Sequence, residues 1–221
     1  MLLSGSLAGA GYKSQSRTSE MSLRRFVRQS FFHGVLFEEA SRYRSDRDVA
    51  TLVSLLNDRA ESFYWRNVVA ILGMGRNPRA TAALIAFIER GSGKLSREEY
   101  TAKSAAVISL GYLAGRDTRA LDYLLKSVNP AAWSRRLGWL SPYADQSDTR
   151  NLQLTKSAIQ ALGLSGHPQA MRGLLELQQS ESLKIYQTDE SLRELVDEAL
   201  KSNEAVRKRG DAAYTRKEPR P

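Results

Sequence analysis

A chain of 221 residues with 42% apolar and 26% charged residues has an ordinary folded composition, enough for one domain or two small ones, with roughly two-thirds of its unfolded surface available for burial. It has no cysteine and two histidines, His33 and His167, which excludes disulfides, zinc-thiolate sites, iron–sulfur clusters and thiol nucleophiles and argues against a histidine metal cage. The 33 Lys and Arg against 24 Asp and Glu give a net charge of +9, which permits nucleic acid, anionic lipid or an acidic protein as partner and selects none of them.

The chain opens with MLLSGSLAGAG, whose small residues Ala8 and Ala10 stand at alternate positions, as at the end of a secretory hydrophobic region and its cleavage site. A positively charged start and a full apolar run are missing. The segment therefore reads either as the remainder of a longer export signal, which would place the protein in the periplasm, or as a flexible Gly/Ser leader on a cytoplasmic protein. Tyr12 to Glu20 has linker composition, and the folded part is expected from about Met21. No apolar run reaches the ~18 residues a transmembrane helix needs.

Leu23–Ser41 reads as a divergent first helix and N-terminal cap. Asp48–Asp58 follows as an amphipathic helix with Val49, Leu52, Val53 and Leu56 on one face. Three segments then align on a Leu-Gly pair: Asn67–Ile88, Ser104–Val128 and Ser157–Leu177. Each predicts an apolar helix ending at Gly73, Gly111 or Gly163, a second glycine at Gly75, Gly115 or Gly166, and a second helix opening on Ala80, Ala120 or Ala170. The glycines suit helix C-termini, where a left-handed backbone favours the absence of a side chain. Pro78 and Pro168 fall at the start of second helices, where a missing N–H costs little. Ser96 with Glu99 forms a capping-box pattern before the middle copy.

Gly73 to Gly111 spans 38 residues but Gly111 to Gly163 spans 52, so Asn129–Ser147 is an insertion. It begins Asn-Pro, as a helix cap and first residue would, and sets Ala132, Trp133, Arg136, Leu137 and Leu140 on one face, with Trp139 off that stripe. The last helix, about Asp189–Arg209, carries Leu192, Leu195, Val196, Ala199, Leu200 and Val206 on one stripe, with acids first and bases last. Asp211–Pro221 reads as a polar tail.

The Leu-Gly pairs, the small first-helix residues and the Ala-then-Leu second helices resemble the bacterial HEAT-like repeat, the type also seen in phycobilin lyases, over roughly Asp46–Gln179. The resemblance implies an all-α fold, an α-solenoid of stacked HEAT-like helical hairpins in which each hairpin contacts mainly its sequence neighbours.

Some HEAT-like proteins are enzymes, so catalysis needs an explicit search. The metal-dependent hydroxylases of this type carry paired His-Glu ligands, but here His33 precedes Gly34 and His167 precedes Pro168. No nucleophile elbow, P-loop or dinucleotide fingerprint occurs, and Gly91-Ser92-Gly93-Lys94 lacks P-loop spacing. No catalytic residue, metal or cofactor is expected.

Two surfaces remain. Arg47, Arg79 and Arg119 occupy equivalent places at the start of successive second helices, with Gln169 in the later copy. They form either a basic edge for phosphates or carboxylates, or a set of arginines that each bond a neighbouring turn or stay solvated. The second helices should also expose Asp122, Lys126, Arg172 and Glu176, and the insertion offers Trp139 as a contact residue. Mixed charge on that face suits a protein or peptide. The expected function is a non-catalytic protein-binding scaffold or adaptor. The alternatives are nucleic-acid binding through the arginine edge, as in HEAT-like DNA-repair glycosylases, or a lyase or chaperone subunit.

Overall fold

The structure is a computed structural model that describes residues 22–32, 34–91, 93–137, 140–141, 147–180 and 190–215. The leader, His33, Trp139 and the end of the expected tail lie outside the described residues.

The described chain is helical almost throughout. Residues 22–27 form α1, followed by α2 (Phe37–Ala40), α3 (Asp46–Asn57), α4 (Trp65–Met74), α5 (Ala80–Glu89), α6 (Arg97–Ala114), α7 (Thr118–Ser127) and α8 (Pro130–Leu137). The last three helices among the described residues are α9 (Ser147–Ser165), α10 (Pro168–Gln179) and α11 (Glu190–Arg209). Extended pairing among the described residues amounts to a two-residue parallel ladder, Gly93 and Lys94 against Leu140 and Ser141, which ties the insertion to the loop before α6. No helix of the described residues is long and apolar enough to cross a membrane.

Local chemistry sets the helix starts. Ser45 makes a full capping box with Asp48 at α3, and the Ser96 hydroxyl accepts from the Glu99 amide at 3.1 Å. Asp117 caps α7. Asn129 Oδ1 accepts from the Ala131 amide at 2.9 Å ahead of Pro130. His167 caps α10, its Nδ1 accepting from the Gln169 amide at 3.1 Å with Pro168 as the next residue. Each arrangement satisfies an amide that would otherwise lack a partner in the first helical turn.

Helices α4, α6, α9 and α11 lie in a row, each packed on the next, while α5 packs on α6, α7 on α9 and α10 on α11. The row carries much of the core: Val68, Leu72, Leu110, Ala158, Leu162 and Val196 are fully or almost fully buried. Trp133 of α8 fills the space beside α7 with no exposure, its indole N–H donating to the Ser127 carbonyl at 2.9 Å.

The Leu-Gly glycines do not end helices, as their sequence suggested. Gly73, Gly111 and Gly163 lie inside α4, α6 and α9, and Gly75 and Gly115 have φ of −65° and −70°. Of the six repeat glycines only Gly166 has a positive φ, at 61°. Contact distance is the physical reason for the rest. A Cβ on Gly73 would stand 2.6 Å from Ser109 Cβ, one on Gly111 2.4 Å from the Ala161 carbonyl oxygen, and one on Gly163 2.9 Å from Ala199 Cα. Each glycine thus lets one row helix touch the backbone or first side-chain carbon of the next.

The stretch expected as a polar tail is packed over its described part. Gly210–Ala213 forms a 3-10 turn, and Tyr214 donates its hydroxyl to the Leu164 carbonyl at 2.7 Å. Its ring lies 4.7 Å from Phe37 and 5.0 Å from Tyr112. One aromatic side chain among polar residues is enough to dock the segment, and it joins the C-terminal end of the fold to α2.

Candidate functional site

The amphipathic second helices bury one stripe and present the other. In α7 the buried residues are Ala120, Leu121, Tyr123, Leu124 and Ser127, and in α10 they are Ala170 and Leu174. That leaves Asp122, Lys126, Arg172 and Glu176 exposed, as their spacing predicts. Between α7 and α10 runs a cavity of about 470 Å³. Leu125, Val128 and Leu177 give it an apolar floor, and Arg172 and Glu176 stand among its polar walls. Asp122 and Lys126 are exposed on α7 but do not line it.

Sequence reasoning missed Gly173, which helps to make the cavity. A Cβ there would come 2.5 Å from Leu125 Cδ2. The missing side chain leaves Leu125 partly uncovered. Leu175, on the same helix, is also exposed, at 42%. An apolar floor with one cation and one carboxylate at its walls can seat an aliphatic or aromatic side chain while pairing charges of either sign around it.

The arginine edge is built differently from the groove. Arg79 pairs with Asp46 at 2.8 Å, and Arg119 pairs with Asp117 at 2.9 Å while reaching the Pro78 carbonyl of the preceding turn at 3.5 Å. Burial alone would raise the Asp117 carboxyl, yet hydrogen bonds from Arg119 hold it below the usual carboxylate range. Arg47 is exposed. Two of the three arginines therefore serve as ties between neighbouring turns.

Two further features escaped the sequence reading. Lys103 of α6 is 1% exposed, and its ammonium donates to the carbonyls of Phe87, Ile88 and Arg90 at 2.7, 2.9 and 2.7 Å, closing the C-terminus of α5. Burial pushes its pKa down to about 8, opposed by the nearby Glu99 carboxylate. Three carbonyl partners make it a structural cap. The other feature is a second set of arginines, Arg44, Arg76 and Arg116, each three residues before the edge set. The repeated Arg-x-x-Arg spacing was the available signal.

Among the described residues no cluster of His, Asp or Glu could hold a metal ion. Comparison with known proteins finds no matching family model, no matching curated protein and no matching solved structure.

Proposed function

We propose that this chain is a non-catalytic scaffold, an α-solenoid of HEAT-like hairpins whose second helices form a concave face, and that the groove between α7 and α10 receives a segment of a partner protein. The observation that carries the reading is the groove itself: a cavity of about 470 Å³ with an apolar floor and Arg172 and Glu176 at its walls. A wall on α10 that carries both charges favours a peptide with both kinds of side chain over a uniform polyanion. The ordered row α4, α6, α9 and α11, in which each helix meets the next, supports the repeat assignment. Arg79 and Arg119 of the arginine edge are paired with carboxylates, which weighs against a nucleic-acid reader.

The test is affinity capture from the native source with the unaltered chain, Arg172→Glu, and Gly173→Met, which fills the cavity. A partner held in the groove is expected to be lost from both variants at unchanged melting temperature, with a loss of about tenfold or more in affinity once identified. Undiminished capture by both would remove the groove as the binding surface. Salt-resistant binding to one nucleic-acid sequence would replace the scaffold reading altogether.

A further inference from the structure

The turns of three successive hairpins each carry two arginines, and the two sets are differently matched in charge. Two members of the outer set have carboxylates: Arg79 has Asp46, and Arg119 has Asp117. The inner set, Arg44, Arg76 and Arg116, lines a separate cavity of about 290 Å³ together with Ser41, Asn77 and Asp211. Asn77 is committed elsewhere, its amide donating to the Arg44 carbonyl and to Asp46 at 3.0 Å each. Asp46 is therefore engaged by both Arg79 and Asn77, and Asp211 is the carboxylate that lines the cavity.

Asp211 comes from the docked C-terminal turn and pairs with Arg76, 135 residues away in the chain. Arg76 is set up to hold an anion. Its side chain is 14% exposed, its buried Nε has no hydrogen-bond partner, and its backbone takes a positive φ of 54°, a conformation that costs a non-glycine residue free energy. Burial lowers its pKa, and the neighbouring Arg116 charge pushes the same way. Asp211 in contrast is 62% exposed, so it covers Arg76 from the solvent side and can leave. Three arginines and one carboxylate line the cavity, so among the described residues its lining carries an excess of positive charge. Guanidinium forks match the oxygens of a phosphate, and a dianion would meet that excess better than a second carboxylate.

We propose that Arg44, Arg76 and Arg116 form a binding site for a phosphate monoester dianion, and that Asp211 partly fills it as a tethered competitor. The site is distinct from the α7/α10 groove and stands or falls independently of it. A tethered carboxylate acts at high effective concentration, so the observed affinity for a free anion is reduced by the fraction of time Asp211 occupies the site.

The experiment is calorimetric titration of the full chain with inorganic phosphate, phosphoserine and acetate, in the unaltered protein and in Asp211→Asn, Arg44→Gln and Arg116→Gln. Arg44 and Arg116 are exposed, so their variants should fold, which circular dichroism checks. Phosphate and phosphoserine are expected to bind the unaltered chain, Asp211→Asn to tighten both on the order of tenfold, and either arginine variant to weaken both by a similar factor. No gain in Asp211→Asn, or unaltered binding in both arginine variants, would overturn the site. Acetate binding as tightly as phosphate would overturn the assignment of a dianion.

Discussion

A lysine that caps a helix from inside the core gives this protein a pH response at the residue scale. Lys103 has an ordinary pKa of 10.5 when exposed and about 8 in the fold, lowered by burial. Between those values the unfolded chain binds more protons than the folded one, so stability rises with pH across the window from about 8 to 10.5. Tyr112 and Tyr214 act in the opposite direction and later: burial raises both above the usual 10.0, Tyr214 to about 12, so the contribution of Tyr214 is lost as pH climbs from about 10 to 12. The lysine effect is isolated by comparing the unaltered protein with Lys103→Met in urea unfolding at several pH values. The stability difference is expected to move in favour of the unaltered protein by about 1–2 kcal/mol between pH 7.5 and 9.5. A difference that stays flat would show that the three carbonyls hold the ammonium charged throughout. Nothing in the sequence marks Lys103 as buried, because the spacing of α6 places it beside Ala102 and Ala106 without revealing that the end of α5 lies against it.

At the scale of the element, the spacing of the Leu-Gly pairs was readable, but the purpose of their glycines was not. A glycine chosen for a left-handed backbone and one chosen for the absence of a Cβ look the same in sequence, and only the distance to the next helix separates them. Gly111 meets the Ala161 backbone, and the adjacent Leu110 is wholly buried. Gly111→Ala would gain about 1 kcal/mol in helix propensity at a free position. Here its Cβ would stand 2.4 Å from a carbonyl oxygen that cannot rotate away. The seam between α6 and α9 must open, and a net loss of about 2–4 kcal/mol is expected. Leu162→Asp and Leu72→Asp should cost at least as much, since both leucines are 1% exposed or less and neither site offers a charge partner on the buried seam. Thermal unfolding checks all three. If Gly111→Ala stabilised the protein, the close approach would be refuted. The groove was legible only in part: the stripe of α10 identifies Arg172 and Glu176 as outward, whereas the roles of Gly173 and Leu125 depend on how two helices meet.

Across the whole molecule, the least legible feature is the return of the C-terminal segment to α2. An array in which helices meet only their sequence neighbours unfolds from its ends, because the terminal units have one neighbour each. Tyr214 alters that. Its ring packs on Phe37 of α2 and Tyr112 of α6 while its hydroxyl bonds the Leu164 carbonyl of α9, and Asp211 adds an ion pair to Arg76 after α4. Three helices of the row and α2 are thereby held by a few residues of chain, and the end that should fray first becomes tied to α2. Tyr214→Phe keeps the rings and removes one hydrogen bond, so a loss of about 1 kcal/mol is expected. Tyr214→Ala removes the ring contacts as well and should cost about 2–4 kcal/mol. The distinguishing measurement is amide hydrogen exchange. In Tyr214→Ala, protection is expected to fall in Phe37–Ala40 as well as around Val206, although these segments are far apart in sequence, because both lose the same fastening. Faster exchange confined to the C-terminal turn would mean that α2 is held by its own packing, and the protein would then behave as an array with two independent ends.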